Sequence, residues 1–296
     1  MVELVFLGTS DAIPSKERNH TSILLSYKNE NILVDCGEGT QRQLRIAEIN
    51  PGKITRLLIT HWHGDHILGI PGLLQTLIFS GYNNTFFIYG PKGTKEFIRE
   101  MLKTFAFQKN FEIKIEEVSG KFFETEDFYL EAEKMTHGVP CNAYSFVKKS
   151  LLRIDKKKLD KTGLAGPIVK KLKEGKDVVF NGKKFLAKNL TYKEEGKKIS
   201  FVFDTSFNEK IVPFIKDSDL LICESTFGDE LENKAEEYKH LNAKKTAEIA
   251  KKSKSKKLIL THISQRYSKN PKTILDSAKK VFKNSVLAKD FDKFEI

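Results

Sequence analysis

The sequence is poor in cysteine and has no long apolar run. Cys36, Cys141 and Cys223 are odd in number, far apart and without CxxC spacing, which argues against a disulfide framework and predicts a reducing cytoplasm. No run approaches the roughly 18 apolar residues that a membrane-spanning helix needs, so no membrane association is expected. The start of the chain also lacks the basic region and cleavage site of a signal peptide.

The net charge of +12 is distributed unevenly over the 296 residues. Residues 148–198 contain 17 Lys and Arg against 6 Asp and Glu, a net charge of +11, so the rest of the chain carries +1 in total. Charge concentrated in this way is typical of a polyanion-binding surface. This lysine-rich segment (residues 148–198) is also punctuated by glycine and weak in strand signals, which predicts an inserted, protruding arm. The alternative is a solvated, disordered loop that binds nothing.

Apolar runs alternate with amphipathic stretches in the rest of the chain, which predicts an α/β protein of one large domain or two small ones. The apolar runs predict strands at Leu4–Leu7, Ser22–Tyr27, Ile32–Val34, Arg56–Ile59, Phe86–Tyr89, Ile113–Val118, Ala143–Val147, Ser200–Phe203, Leu220–Ile222, Leu258–Leu260 and Ser285–Leu287. The amphipathic stretches predict helices at Thr40–Ile49, Pro71–Phe79, Thr94–Phe105, Asn208–Phe214, Ala243–Lys252 and Pro271–Phe282.

Five predicted strands deliver an acidic or metal-binding residue at or just after their carboxyl ends. These residues are Asp35, His61, Asp204, Glu224 and His262. A single residue of this kind could simply face water, but five suggest that rigid strands direct their side chains toward one common site.

Residues 61–66 read His-Trp-His-Gly-Asp-His, three imidazoles and a carboxylate within six positions. Histidine and carboxylate are the ligands that hold zinc while leaving room for water. In extended backbone His61 and His63 project to the same side and could bind one ion, and a turn at Gly64 would direct Asp65 and His66 toward a second. The alternative is a histidine-rich surface loop without ligands.

Further ligands are needed to complete such a pair of sites. His137 and His262 would supply imidazoles, although each by itself could be an ordinary loop or core residue. Asp204 is the candidate for a carboxylate that bridges the two ions, although a lone aspartate after a strand could equally cap a helix. Two adjacent divalent ions stabilise the attacking and leaving oxygens of a phosphoryl displacement.

The ordered series HxHxDH, later His, strand-end Asp and final strand-end His resembles the signature of the metallo-β-lactamase superfamily, whose fold is a four-layer αββα sandwich. Within it, the chain resembles the ribonuclease Z family of tRNA 3′-end processing endonucleases. The closer match lies in Gly8–Pro14, Arg18–Ser22, Asp35–Gln41, Gly166–Gly175 and Thr261–Tyr267. The resemblance covers nearly the whole chain and implies a single domain, residues 1–296, with residues 148–198 as an inserted tRNA-binding arm.

The resemblance also implies roles for individual residues. Two Zn²⁺ per subunit, or Mn²⁺ or Fe²⁺ in their place, would be held by His61, His63 and His137 at one site and by Asp65, His66 and His262 at the other, with Asp204 bridging. Asp65 would also act as general base. His240 would protonate the leaving 3′-oxygen, and Glu224 would orient the His240 ring. Without the resemblance, His240 would be interpreted as an ordinary residue at the start of a helix.

The chain departs from the family pattern at two places. The family often has His-Glu-Ala-Thr where this chain has Cys223-Glu-Ser-Thr226, and His-Ser-Thr where it has His240-Leu-Asn242. The glutamate and the second histidine are present at both places. The hydroxyl after His240 is absent, but Asn242 could still cap the following helix.

The implied partner is precursor tRNA, held by a family homodimer in which the arm of one subunit serves the other. Its cleavage would leave a 3′-hydroxyl on the tRNA and a 5′-phosphate on the trailer. The arm residues expected to contact the tRNA backbone are Gly166, Pro167, Lys170, Lys171 and Lys173. Two alternatives stay open at this stage. One is a small-molecule phosphodiesterase or other hydrolase of the same fold, and the other is a non-catalytic RNA-binding protein with a structural metal.

Overall fold

The computed structural model describes residues 1–105, 107 and 110–296. Its strands, numbered along the chain, are β1 (Glu3–Gly8), β2 (Ser22–Tyr27), β3 (Glu30–Val34), β4 (Arg56–Leu58), β5 (Phe86–Gly90), β6 (Ile113–Glu117), β7 (Gly120–Glu124), β8 (Phe128–Met135), β9 (Cys141–Lys148), β10 (Leu151–Ile154), β11 (Val178–Phe180), β12 (Lys183–Phe185), β13 (Thr191–Glu194), β14 (Lys197–Val202), β15 (Leu220–Glu224), β16 (Leu258–Thr261), β17 (Ser285–Leu287) and β18 (Lys293–Glu295).

The helices are α1 (Thr40–Ile46), α2 (Gly64–Ile67), α3 (Ile70–Phe79), α4 (Thr94–Thr104), α5 (Lys156–Asp160), α6 (Pro167–Lys173), α7 (Ala187–Leu190), α8 (Ile211–Phe214), α9 (Glu232–Glu237), α10 (Ala243–Lys252) and α11 (Lys272–Val281). Short 3₁₀ turns occupy Pro51–Lys53, Asp229–Leu231 and Gln265–Tyr267. No helix in the described part of the chain combines the length and the apolar character needed to cross a membrane.

Two seven-stranded sheets carry the fold. The first has the order β18-β1-β2-β3-β4-β5-β6, and the second has the order β17-β16-β15-β14-β9-β8-β7. Strands β3 to β6 of the first sheet run parallel to one another, as do β14 to β17 of the second. Because the carboxyl ends of parallel strands share one edge of a sheet, residues that follow these strands are brought together.

Three apolar clusters separate the layers. Side chains of both sheets, such as Phe6, Tyr144 and Phe201, form the cluster between the sheets. A second cluster joins the first sheet to α1, α3 and α4, and a third joins the second sheet to α8, α10 and α11. The predicted four-layer αββα arrangement is therefore confirmed. The three cysteines are buried and free.

Strands β7, β8 and β18 were not among the predicted elements. In β8 the buried residues Phe128, Leu130 and Ala132 alternate with half-exposed Tyr129, Glu131 and Glu133. This is the two-residue period of a strand with one buried face, but it contains no continuous apolar run. The strand lies between β7 and β9 in the second sheet and pairs with β9 along its whole length.

The lysine-rich segment folds around a small core of its own. Strands β10 and β13 pair with each other, as do β11 and β12, and the helices α5, α6 and α7 lie between these strands in the chain. Their shared apolar cluster contains Leu164, Leu172, Val178, Ala187 and Leu190. The segment therefore differs from the unstructured loop that its weak strand signals had left open.

The root of this segment lies at the end of the second sheet remote from the strand ends that carry the acidic residues and histidines. It extends the antiparallel pair β9–β14, in which Lys148 lies opposite Lys197. At the root, Glu194 forms ion pairs with Lys148 (Nζ–Oε1, 2.6 Å) and Arg153 (Nε–Oε2, 2.5 Å). Arg153 also pairs with Asp127 of the body (NH2–Oδ1, 3.1 Å). These contacts fix the direction in which the segment leaves the sheet.

Candidate metal centre and active-site cleft

The strand ends of the two sheets meet at one edge of the sandwich. Asp35 and His61 follow β3 and β4 of the first sheet, whereas Asp204 and His262 follow β14 and β16 of the second. Glu224 is the last residue of β15. The structure thus brings together all five residues that the sequence placed at strand ends.

Three of these residues adopt the left-handed backbone conformation that non-glycine residues rarely use. Their φ angles are 57° for Asp35, 39° for Asp204 and 58° for His262. Such a conformation costs about 1–3 kcal/mol per residue and is found mainly where a site requires it. Here it turns the chain sharply at the strand end, and the side chains of all three residues are buried at the edge between the sheets.

The first set of ligand atoms comprises three imidazoles and one carboxylate. His63 Nδ1 lies 3.1 Å from both His61 Nε2 and His137 Nε2. Asp204 Oδ2 completes the set, 3.4 Å from His61 Nε2 and 3.8 Å from His137 Nε2. These are four side-chain donors converging on one point, as in a tetrahedral zinc site.

The second set lies on the other side of the same aspartate. His66 Nε2 and His262 Nε2 are 3.2 Å apart, and they lie 3.2 Å and 3.3 Å from Asp65 Oδ2. Asp204 Oδ1 is 3.2 Å from His262 Nε2. The short helix α2 supplies Asp65 and His66, so the chain does turn at Gly64 to separate them from His61 and His63.

The far nitrogens of four imidazoles are fixed by hydrogen bonds that also determine their tautomers. The Nδ1 atom of His66 donates to Asp35 Oδ2 at 2.7 Å, and Nδ1 of His137 donates to the Lys239 carbonyl at 3.1 Å. The other two donate to threonine hydroxyls that are already donating to carboxylates, His61 to Thr60 at 3.1 Å and His262 to Thr226 at 2.8 Å. With Nδ1 as the donor, each of the four rings in its neutral form offers the lone pair of its inward Nε2 atom, as metal ligation requires.

The residues present fit a pair of metal ions. In the described part of the chain, Asp204 Oδ1 is fully buried and makes no hydrogen bond of acceptable geometry, although His262 Nε2 lies close to it. An unpartnered buried carboxylate oxygen that faces the lone pairs of neutral imidazoles is unfavourable unless a cation lies between them. Each of the two ligand sets provides one such cation position, and Asp204 belongs to both sets.

The pKa shifts within the cluster also indicate that the site favours positive charge. Burial raises the pKa of the Asp204 carboxyl, but the imidazoles of His262, His66 and His61 outweigh burial and hold that pKa well below its usual range. Burial and the neighbouring His66 lower the pKa of His61 to about 3, so this ring is neutral. Burial lowers the pKa of His66, but the carboxylates of Asp204, Asp65 and Asp35 raise it well above its ordinary value.

A second histidine–carboxylate pair lies beside the ligand sets. His240 Nδ1 donates to Glu224 Oε2 at 2.9 Å, and its Nε2 faces Asp204 Oδ2 at 4.0 Å. Glu224 is fully buried and also accepts from the Thr205 backbone N–H and the Thr226 hydroxyl, each at 2.7 Å. Burial lowers the pKa of His240, but the Glu224 and Asp204 carboxylates raise it to about 9, so the ring can donate a proton at neutral pH.

An open cleft of about 540 Å³ is lined by His240 and by members of both ligand sets, namely His63 and His137 of the first, Asp65 and His262 of the second, and the shared Asp204. One wall is the loop Asp11–Ile13. Cationic and aromatic side chains that the sequence had not singled out also line the cleft, namely Lys234, Tyr238, Arg266 and Phe227. Only Arg266 carried a signal, because it lies within Thr261–Tyr267. The cleft can admit an anionic chain, with cations at its rim and a proton donor inside.

The predicted substrate-binding residues lie elsewhere. Pro167, Lys170, Lys171 and Lys173 belong to α6, and Gly166 precedes it with a φ angle of 69°. The three lysines are exposed, and none of the five residues lines the cleft. Any contact of these lysines with a substrate is therefore made at a distance from the metal ligands of the same subunit.

The sequence did not assign the residues that orient the ligands. Asp35 was noted only as a strand-end acid, and Thr60 and Thr226 were given no role. Thr226 nevertheless connects a metal ligand to the proton donor His240. Its hydroxyl contacts both the ligand His262 and Glu224, the carboxylate that holds His240. The predicted cap is confirmed, since Asn242 Oδ1 accepts from the Lys245 N–H at the start of α10.

Comparison with known proteins agrees with this geometry. A family model described as "Anti-Pycsar protein Apyc1" matches residues 2–148. Ribonuclease Z of Methanothermobacter thermautotrophicus is 40% identical over 299 residues, covering 100% of this chain and 97% of that protein. Ribonuclease Z of Nanoarchaeum equitans is 40% identical over 265 residues, covering 89% and 84%. The crystal structure of the short form of human tRNase Z superposes with a TM-score of 0.73 at 28% identity, covering 99% of both chains.

The contact between Asp35 and His66 leads to a test. We expect Asp35→Asn to weaken metal binding about 10–100-fold, because the neutral amide no longer orients and polarises the His66 ring. The measurement is metal affinity by competition with a chromophoric chelator. Asp290→Asn is the matched control, since Asp290 accepts hydrogen bonds from Thr9, Asn19 and Gln43 without touching a histidine. Equal affinities in the two folded variants would contradict the assigned role.

Proposed function

The chain belongs to the ribonuclease Z family, and we propose that it is a metal-dependent endoribonuclease that removes 3′ trailers from precursor tRNA. The cleavage leaves a 3′-hydroxyl on the tRNA and a 5′-phosphate on the trailer. The observation that carries this proposal is the juxtaposition of two ligand sets sharing Asp204 with the Glu224–His240 pair, all in one open cleft.

The proposed cofactors are two Zn²⁺ per subunit, with Mn²⁺ or Fe²⁺ as chemically acceptable substitutes at histidine and carboxylate sites. The first would be held by His61, His63 and His137, the second by Asp65, His66 and His262, and both by Asp204. When bound, such a pair lowers the pKa of water and neutralises charge on the phosphate.

The protein side chains supply orientation and proton transfer. Asp65 directs one carboxylate oxygen to His66 and His262, which leaves its second oxygen to accept a hydrogen bond from the attacking water. As the bond between phosphorus and the 3′-oxygen breaks, the leaving oxygen takes the proton from His240 Nε2. Glu224 holds the ring through Nδ1 and stabilises its charged form, the role of the carboxylate in a catalytic triad.

The lysine-rich segment is the proposed tRNA-binding arm. Its net charge of +11 and the exposed lysines of α6 suit the phosphate backbone of a folded RNA, and such contacts weaken as salt rises. A small-molecule ester would give this segment nothing to bind, and a purely RNA-binding protein would have no use for the Glu224–His240 pair. Both observations favour the nuclease over the two alternatives.

A homodimer is the proposed assembly. Strand β14 spans about 20 Å between the root of the arm at Lys197 and the metal-site edge, at ~3.3 Å per residue. An arm that starts so far from its own cleft is well placed to serve the cleft of a partner subunit. The exposed Phe79 and Phe105 line a groove beside α3, and such exposed apolar side chains suit a contact between subunits.

The proposed location is the cytoplasm. The three cysteine thiols are buried and unpaired with one another, the state expected in a reducing compartment.

Cleavage of a precursor is the direct test. We expect purified protein to cut a precursor tRNA once, at the junction with its 3′ trailer, to lose this activity in chelator and to regain it with Zn²⁺. The product ends are read by end-labelling and gel electrophoresis. A metal-loaded protein that hydrolyses a small phosphodiester but leaves the precursor intact would contradict the proposal.

His240→Ala tests the proton donor. We expect kcat on precursor tRNA to fall about 10²–10⁴-fold, because the leaving 3′-oxygen must then depart unprotonated. Metal content, measured by elemental analysis, should be unchanged. Hydrolysis of a p-nitrophenyl phosphodiester, whose leaving group needs no proton, should fall much less. Loss of metal from the variant would instead make His240 a structural residue.

Mixing two inactive variants tests the dimer. In one variant Lys170, Lys171 and Lys173 are changed to Gln, and in the other Asp204 is changed to Asn. If each arm serves the partner's cleft, random exchange of subunits should restore about a quarter of the wild-type activity, since half the dimers are mixed and each has one complete site. Activity no higher than the sum of the separate variants would show that the arm does not act in trans.

A further inference from the structure

The charge outside the lysine-rich segment is itself divided into two opposite parts. Residues 243–283 contain 13 Lys and Arg against 2 Asp and Glu, a net charge of +11 that equals that of the lysine-rich segment. The remaining residues of the chain therefore carry −10. The net charge of +1 outside the arm is therefore the sum of a second basic segment, as strongly charged as the arm, and an acidic remainder.

This charge lies on the outer face of the second sheet. Helices α10 and α11 pack against each other, and their buried residues, including Ala247, Ile249, Ile274 and Ala278, face the sheet. Their lysines must then point outward. The α10–α11 face is defined by Lys244, Lys245, Lys251, Lys252, Lys254, Lys272, Lys279 and Lys280, of which all but the half-buried Lys245 are exposed.

The two basic regions differ in how their charge is compensated. In the arm, lysines pair with nearby acids, such as Lys158 with Asp155 and Lys184 with Asp177. Within the described chain, none of the eight lysines of the α10–α11 face makes a salt bridge, and in residues 243–283 only Lys256 does so, with Asp219. Unpaired like charges on one face repel one another and favour an external polyanion.

The α10–α11 face begins at the active-site cleft. Asn242 caps α10 only two residues after His240, and Arg266, between β16 and α11, lines the cleft. From its cap, α10 extends for about 15 Å at 1.5 Å per residue. The lysines thus form a track that starts beside the proton donor and leads away from the cleft.

We propose that the α10–α11 face is a second RNA-binding surface, which holds the phosphate backbone of the precursor on the leaving-group side of the scissile bond. This inference rests on the proposed nuclease function. Because His240 protonates the 3′-oxygen that stays with the tRNA, the strand on its side of the cleft is the acceptor end and not the trailer. Lysines contact phosphates without reading bases, so the surface positions any tRNA alike.

The experiment neutralises lysines far from the cleft. In one variant Lys251, Lys279 and Lys280 are changed to Gln, and in the matched control Lys53, Lys103 and Lys114, which are exposed lysines near the first sheet, are changed to Gln. We expect the first variant to raise KM for precursor tRNA at physiological salt. It should also reduce the slope of log(kcat/KM) against log[salt] by about 2 to 3, at 0.7–0.9 per lost phosphate contact. Hydrolysis of a small phosphodiester should be unchanged.

Competition identifies the bound strand. Mature tRNA should inhibit the first variant less than it inhibits the wild type, whereas a trailer oligonucleotide should inhibit both equally. Equal salt slopes in the two triple variants would overturn the second surface, and weaker competition by the trailer would overturn its assignment to the acceptor side. A wild-type protein that fails to cleave the precursor would instead refute the proposed function, so the two failures are distinguishable.

Discussion

The structure depends on carboxylates buried among imidazoles at the junction of two sheets. Asp204 is almost completely buried, and Asp35, Glu224 and the imidazole of His66 are fully buried beside it. Burying this much negative charge is costly unless hydrogen bonds and positive charge compensate it. The threonine and backbone donors around the site compensate part of it. Divalent cations held by the two ligand sets would compensate the remaining negative charge. Folding of this edge of the sandwich is therefore linked to metal binding.

Neither sheet contains the site alone. His61, Asp65 and His66 follow strands of the first sheet, whereas Asp204 and His262 follow strands of the second. The apolar cluster between the sheets therefore sets the separation of the ligands, and the left-handed turns at the strand ends set their direction. The charge of the chain is also concentrated in particular places. The body is acidic, whereas the arm, which begins remote from the cleft, and the α10–α11 face, which begins beside the cleft, are basic.

Much of the fold was predictable because its central strands are continuous apolar runs that are buried on both faces. The runs ending near Asp35, Asp204 and His262 predicted such strands, and all are present. Strand β8 was missed because only one of its faces is fully buried, so its signal is an alternation and not a run. The internal core of the arm was missed because Leu164, Leu172 and Leu190 are far apart in a lysine-rich segment and meet only after the segment folds.

The sequence by itself determined the chemistry of the site, because ligand type and close spacing are local properties of residues 61–66 and of the strand ends. The tertiary structure alone decided which nitrogen of each imidazole faces inward. That choice depends on partners distant in the chain, such as Asp35 for His66 and Thr226 for His262. It also decided that the lysines of α10 and α11 form one surface, because two helices share a face only when they pack on the same sheet.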